Sequence, residues 1–162
     1  MKIGTKGDYG LRALIDLAER FESGAIIQAK DISERQSIPK DYLALIMIDL
    51  RKAGLVDSVR GPGGGYRLAR EPREITMGQA LAALESPVSL IDCTTDLGFS
   101  DCTISLRCRM RNVWIEATRS VMAILDATSL ADLCNPAGTP IELVHVTESP
   151  DPSMPEGLTF QI

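Results

Sequence analysis

The sequence predicts a mainly α-helical protein with a small β wing: a winged helix-turn-helix followed by a long dimerisation helix. Two short helical segments joined by a tight turn precede a glycine-rich hairpin, an order typical of a winged helix. A later amphipathic segment is long enough to pack against a second copy of the chain. We therefore divide the chain into a winged helix-turn-helix DNA-binding domain at 1–75, a cysteine loop and dimerisation helix at 76–134, and an extended or disordered C-terminal tail at 135–162.

The first helix is predicted at residues 5–22. Its apolar residues recur at helical spacing and share one face: Leu11, Leu14, Ile15, Ala18 and Phe21. Thr5 is expected to be the N-cap, with Asp8 as the acidic partner of a capping box. Three residues lie on the other side of the helix, from which they can reach phosphates: Lys6, Tyr9 and Arg12.

The helix-turn-helix is predicted at residues 28–53, with the turn at 37–38 and the second helix starting at Pro39. In such motifs the second helix enters the DNA major groove, and its N-terminal residues contact the bases. Here those residues are Lys40, Asp41 and Tyr42, although Tyr42 would also suit the core. The buried face is expected to contain Leu43, Ile46, Leu50 and Ala53, and Gly54 should follow the end of the helix.

The wing is predicted from two alternating segments, 55–60 and 66–70, on either side of Gly-Pro-Gly-Gly-Gly at 61–65. Arg60 and Arg67 flank this turn, where they suit a DNA backbone or minor groove. A nucleotide-binding loop would need a strand before the glycines and a helix after them, whereas here a second strand-like segment follows. A purely structural hairpin remains an alternative.

Charge is distributed unevenly along the chain, whose net charge is −5. Residues 1–75 contain 13 basic and 11 acidic residues (+2), and residues 76–162 contain 4 and 11 (−7). Because DNA affinity follows the local number of phosphate contacts, this distribution is compatible with double-stranded promoter DNA as partner. The predicted DNA-binding residues are Lys6, Tyr9, Gln28, Lys40, Asp41, Tyr42, Arg51, Arg60, Gly63, Gly64 and Arg67.

Membrane, secreted and enzymatic classes receive little support. No apolar run approaches the length of a membrane span, and the first eight residues lack a signal-peptide core, so we expect no membrane association and a cytoplasmic location. The single histidine, His145, lies in the proline-rich tail, and no nucleophile is accompanied by a recognisable base. We therefore do not expect an enzyme.

The second half of the chain is predicted to contain two helices on either side of a polar loop. Thr76 and Gln79 form a Thr-x-x-Gln capping box that opens the first of them. The second covers residues 113–128 and has an apolar stripe formed by Val113, Ala117, Val121, Ile124 and Leu125. We interpret it as a homodimerisation helix; the alternative is a helix that packs back on its own domain.

The loop contains Cys93, Cys102 and Cys108 in a C-x8-C-x5-C pattern, among residues that favour turns over core packing. Three thiolates on one loop can converge on a metal, although Zn²⁺ and the [2Fe–2S] and [4Fe–4S] clusters each require four ligands. Free or redox-paired thiols are nearly as compatible with this spacing. The fourth cysteine, Cys134, has apolar neighbours and is expected to be buried and unreactive.

Over residues 1–134 the chain resembles the iron–sulfur regulators typified by IscR, NsrR and RirA. The matching segments are Thr-Lys-Gly-Asp-Tyr-Gly-Leu-Arg-Ala-Leu at 5–14, Leu-Arg-Lys-Ala-Gly-Leu-Val at 50–56, Ser-Val-Arg-Gly-Pro-Gly-Gly-Gly-Tyr at 58–66, Glu-Ile-Thr at 74–76, the three-cysteine loop, Trp114 and Leu-Ala-Asp-Leu at 130–133. The resemblance implies a homodimeric winged-helix transcription factor. In the cluster-sensing branches, it implies an iron–sulfur cluster on the loop cysteines.

Two departures from the family pattern concern the cluster ligands. The gap between Cys93 and Cys102 is longer than usual, and Arg111 stands where the IscR branch places a histidine ligand. Asp8 matches the acidic ligand that the other subunit provides in the NsrR-like branch. The resemblance thus implies a cluster held by the three cysteines and Asp8. Other members, such as CymR, have no cluster and act through a protein partner, which leaves a thiol redox switch or a zinc site as the alternative.

Overall fold

The computed structural model describes residues 3–85 and 108–134. Within these ranges the chain forms six α-helices and one two-stranded antiparallel sheet, which confirms the predicted fold class. The elements are α1 (Thr5–Ala18), α2 (Ala29–Gln36), α3 (Lys40–Lys52), β1 (Val56–Val59), β2 (Gly65–Leu68), α4 (Met77–Leu84), α5 (Arg111–Ala127) and α6 (Leu130–Leu133), with short 3₁₀ turns at Phe21–Ser23 and Pro72–Glu74.

Helix α1 differs from its prediction at both ends. It stops at Ala18, before a separate 3₁₀ turn and Gly24 in the left-handed region (φ 63°). At its start, Gly4 rather than Thr5 is the N-cap, and Thr5 is already part of the helix. The predicted capping box of Thr5 and Asp8 is therefore wrong. The carboxylate of Glu85 takes its place, because its Oε1 accepts a hydrogen bond from the Gly7 amide at 3.0 Å.

The turn between α2 and α3 is built by a residue in the left-handed conformation, Ser37 (φ 53°). Two hydrogen bonds close it: the amide of Ile38 donates to the Ser33 carbonyl at 3.0 Å, and the Ser33 hydroxyl donates to the Ile38 carbonyl at 2.6 Å. Pro39 is the N-cap of α3, so the helix begins at Lys40, one residue later than predicted. The turn therefore fixes the angle at which α3 leaves α2.

In the described part of the chain, one hydrophobic core joins α1, α3, α4 and α6. It includes Leu14, Ile46, Leu81 and Leu130, all of which have no exposed surface. On α3, Met47 is buried and Ala53 is exposed, so the predicted inward position of Ala53 is wrong. Residues on both sides of position 75 share this core. The division of the chain at that position remains a prediction.

Helix α5 is held at its C-terminal end and little buried elsewhere. Leu125 is its one buried residue, whereas Val113, near its start, is 65% exposed. The amide of Met77 donates to the Thr128 carbonyl at 2.9 Å, and the amide of Leu130 donates to the Ile75 carbonyl at 2.8 Å. Most of the predicted apolar stripe is therefore only half-buried within one chain.

Candidate nucleic-acid interface and cysteine site

The wing is a tight hairpin anchored to the start of α2. Strands β1 and β2 pair in the register Val56↔Leu68 to Val59↔Gly65. Gly61 (φ 108°) and Gly63 (φ 80°) adopt backbone angles that residues with a side chain rarely adopt, which is why the tip needs glycine. At its base, Tyr66 and Ile27 exchange two backbone hydrogen bonds of 2.8 and 2.9 Å. Ile27 therefore joins the hairpin through a single antiparallel bridge.

The N-terminus of α3 presents two charged residues to solvent, Lys40 and Asp41, and their contacts with DNA bases remain a prediction. Tyr42 is half-buried, and its ring contacts the Tyr9 ring edge-on, with centroids 5.8 Å apart. These two tyrosines therefore connect α1 to α3, and both of their proposed DNA contacts remain predictions.

The proposed wing residues lie at the exposed end of the sheet and beside it. Arg60 and Gly63 are exposed at the tip and Gly64 is half-buried there. Arg67 pairs loosely across the strands with Asp57, at 3.5 Å, and Arg51 donates to the Ser58 hydroxyl at 3.4 Å. Gln28 is exposed at the N-cap of α2. The side chains of Arg51, Arg60 and Arg67 are available to phosphates, because weak surface contacts cost little to exchange.

The two proposed cations of α1 are already engaged by protein groups. Lys6 donates to Asp49 of α3 at 2.7 Å, and Lys52 reaches the same carboxylate at 3.3 Å. Hydrogen bonds from both lysines hold the pKa of Asp49 below its usual range. Arg12 donates to the Gln36 carbonyl, lies 5.5 Å from the Tyr9 ring centroid and pairs with Asp8 at 3.6 Å. Lys6 and Arg12 therefore connect helices in the free protein.

An ionic network that the sequence analysis missed holds α1 against α2. Asp16 is fully buried and accepts two hydrogen bonds from Arg35, at 2.8 and 2.7 Å, with Arg20 at 3.2 Å and Gln36 at 3.3 Å. Burial would raise the pKa of Asp16, but these hydrogen bonds and positive charges lower it overall. The signal in the sequence that could have predicted this ion pair is an aspartate set between apolar residues of α1, together with an arginine in the last turn of α2.

Only part of the proposed cluster site lies within the described residues. Cys93 and Cys102 lie outside them, whereas Cys108 is half-buried shortly before α5. Asp8 has a side chain 59% exposed in the first turn of α1. Within residues 3–85 and 108–134, no three His, Cys, Asp or Glu side chains are grouped as a metal site would require. The proposed ligand set therefore remains a prediction.

Cys134 is half-buried after α6, where desolvation and the charge of Glu19 raise the pKa of its thiol. A raised pKa reduces the thiolate fraction, which agrees with the low reactivity expected from the sequence, whereas the expected full burial of this cysteine is wrong. None of the helices in the described part of the chain is long and apolar enough to cross a membrane.

Helix α3 behind a closed turn, together with a glycine-tipped hairpin, defines the chain as a winged-helix DNA-binding protein. The Rrf2 family profile, described as an iron-dependent transcriptional regulator, matches residues 3–136. The HTH-type transcriptional regulator IscR of Aliivibrio salmonicida (strain LFI1238) is 41% identical over 133 residues, which are 82% of this chain and 77% of that protein.

Two solved structures have the same fold. One, CymR (YrzC), the global cysteine regulator of B. subtilis, matches with a TM-score of 0.68 and 36% identity over 83% of this chain and 96% of the other. The other, T. potens IscR, matches with a TM-score of 0.64 and 38% identity over 82% of this chain and 85% of the other. The chain belongs to the Rrf2 family of transcriptional regulators, which confirms the resemblance inferred from the sequence.

Proposed function

We propose that this protein is a homodimeric transcriptional regulator whose binding to promoter DNA is controlled by an iron–sulfur cluster. The ligands would be Cys93, Cys102 and Cys108, completed by Asp8 from the other subunit of the dimer. The observation that carries this proposal is the presence of three cysteines within one polar stretch of sequence, residues 93–108, in a chain similar to IscR. The sequence is compatible with either a [2Fe–2S] or a [4Fe–4S] cluster.

The donor chemistry of the described residues fits such a group. Asp8 is not used as a helix cap, and its ion pair with Arg12 is long (3.6 Å) and exposed. Its carboxylate is therefore free to exchange Arg12 for a metal ion at small cost. When bound, the cluster would supply a link that oxidation, nitric oxide or iron loss can break.

The chain also contains a mechanical connection between the proposed ligand and the DNA-binding elements. Lys6, two residues before Asp8, is paired with Asp49 of α3 at 2.7 Å. Farther along α1, Asp16 is bonded to Arg35 of α2 at 2.7 Å. A displacement of the first turn of α1 would therefore be transmitted to both helices of the helix-turn-helix. A coupling of about 1–3 kcal/mol, typical of allosteric proteins, would change DNA affinity about 5- to 150-fold.

A second connection joins α1 to the helix that precedes the cysteines in the sequence. Glu85, whose carboxylate caps α1 through the Gly7 amide, is the C-cap of α4 and lies eight positions before Cys93 in the sequence. The N-terminus of α1 is thus fixed to the C-terminal end of α4 in the same subunit. This contact supports a model in which a displacement at the end of α4 alters the position of α1.

Anaerobic purification tests the cluster directly. Iron and sulfide should be present, visible absorption should show sulfur-to-iron charge transfer, and Mössbauer spectra should identify the cluster type. Single alanine variants of Cys93, Cys102 and Cys108 should lose iron, whereas Cys134→Ala, a matched control outside the proposed ligand set, should retain it. A colourless protein without iron or sulfide would exclude the proposal.

The second candidate retains DNA binding and replaces the cluster with a thiol redox switch or a zinc site. The similarity to CymR supports this second candidate to the same degree as the similarity to IscR supports the cluster. Desolvation raises the pKa of the Cys134 thiol, which favours the three loop cysteines over Cys134 as the reactive groups of such a switch. Elemental analysis for zinc and iron, together with a thiol count on freshly isolated protein, distinguishes the two candidates.

A further inference from the structure

The solvent-facing side of α3 has an unusual composition for a helix expected to read DNA. We define the α3 outer face as Asp41, Ala44, Leu45 and Ile48, which recur at helical spacing and are all exposed. Leu45 is 57% exposed and Ile48 is 41% exposed, which places both among the few large apolar side chains that the described residues leave in solvent. Three of the four residues have no side-chain hydrogen-bonding group.

The orientation of α3 makes this exposure a fixed property of the fold. Leu43, Ile46, Met47 and Leu50 occupy the opposite side of the helix and are at most 1% exposed. Rotating the helix to cover Leu45 would expose this buried set, at a cost of about 1.5–3 kcal/mol for each side chain. The outer face therefore needs an external partner if it is to be covered.

The charges around the outer face indicate a polyanion as that partner. Lys40 precedes it, Arg51 and Lys52 follow it on the same helix, and all three are exposed. Asp49, the neighbouring carboxylate, pairs with Lys6 at 2.7 Å and more loosely with Lys52 at 3.3 Å, and with Asp41 also counted, the charges around the face remain net positive. An apolar strip between cations matches a major groove, where base edges lie between two rows of phosphates.

Each base pair presents a different set of groups in the major groove, and the thymine C5-methyl is the apolar one. Leu45, Ile48 and Ala44 can contact methyl groups, but they cannot bond to the acceptors of guanine. We infer that α3 recognises its operator mainly through thymine methyl groups, with Asp41 accepting a hydrogen bond from a cytosine amino group at the edge of the contact. This inference rests on the DNA-binding part of the proposed function and is independent of the cluster.

The test removes individual methyl groups from the DNA. Sequences that bind the full-length protein are first enriched from a random double-stranded library at fixed salt. Affinity is then measured by fluorescence anisotropy for the enriched site and for versions in which single thymines are replaced by uracil, which lacks only the C5-methyl. Beneath the outer face, each replacement should weaken binding about fourfold, the value expected for exposing one buried methyl group.

The protein variants assign the effect to the outer face. Leu45→Ala should weaken binding to the thymine site and remove most of the difference between thymine and uracil. Arg60→Ala, the matched control in the wing, should weaken binding to both sites by the same factor and leave their ratio unchanged. Because Leu45 is exposed, its variant should fold normally, which circular dichroism and the midpoint of urea unfolding would verify.

Equal affinity for thymine and uracil at every position, with tight binding to the enriched site, would overturn this inference and leave the proposed function intact. Failure to enrich any DNA would overturn both. A change in oligomeric state on Leu45→Ala, measured by analytical ultracentrifugation, with unaltered DNA affinity would show that the outer face binds a second copy of the chain and would also refute the inference.

Discussion

Replacing Asp16 tests how the two helices on either side of the DNA-binding turn are held together. Asp16→Ala removes a carboxylate whose side chain is 1% exposed. It also removes the two short hydrogen bonds from Arg35, the ion pair with Arg20 at 3.2 Å and the hydrogen bond from Gln36 at 3.3 Å. Breaking a fully buried ion pair costs about 3–5 kcal/mol, because the remaining charge is left without solvent.

Here the remaining charges can regain water, which lowers that cost. The side chains of Arg35 and Arg20 are 36% and 33% exposed. We therefore expect Asp16→Ala to reduce the free energy of unfolding by about 2–3 kcal/mol, and Asp16→Asn by somewhat less, because an amide can still accept one hydrogen bond. The assay is urea unfolding followed by circular dichroism at pH 7.

The pH dependence gives an independent readout of the same carboxylate. Because the pKa of Asp16 is lower in the folded than in the unfolded chain, its contribution is fully present above the unfolded pKa, near 4, and is lost as pH falls through the folded pKa. The difference in stability between the wild type and Asp16→Asn should therefore shrink as pH falls below about 4.

The control is Glu34 on α2, next to Arg35 in the sequence. Glu34 pairs with Lys30 at 3.8 Å, and both side chains are more than 60% exposed, so Glu34→Gln should change stability by less than about 0.5 kcal/mol. If Asp16→Ala were no more destabilising than this control, or if its effect were constant from pH 7 to pH 3, the argument from burial and ion pairing would be refuted.

Three further predictions concern the wing, the cap of α1 and the proposed ligand. Arg60→Ala should weaken DNA binding, most strongly at A·T-rich sites if the side chain enters the minor groove, and should reduce the slope of log K against log salt by about 1; unchanged affinity at fixed salt would show that the wing makes no contact. Glu85→Ala should lower the free energy of unfolding by about 1 kcal/mol through the lost cap; a urea midpoint equal to that of the wild type would contradict this. Asp8→Ala should change stability by less than about 0.5 kcal/mol, since the side chain is 59% exposed, yet reduce iron content after anaerobic purification; full iron occupancy would remove Asp8 from the ligand set.

The sequence alone predicted the elements whose signals are local. Helix α3 and the hairpin were recognised from apolar spacing and from glycines, because the backbone angles of the turn at 61–65 exclude most other residues. Thr76 was likewise predicted as an N-cap, and its hydroxyl accepts a hydrogen bond from the Gln79 amide at 3.2 Å. The reciprocal half of that box is absent, since the Gln79 side chain instead accepts from Arg70 at 3.4 Å.

Other features were decided by contacts between residues far apart in the chain. The cap of α1 comes from Glu85, 78 positions after Gly7, and Lys6 is engaged by Asp49, 43 positions away. Met47 rather than Ala53 is buried because the packing of α3 against α1 and α4 determines which side of the helix faces inward. Periodicity places a residue on a face of a helix, whereas only the packed structure shows which carboxylate is buried and which cation remains available to DNA.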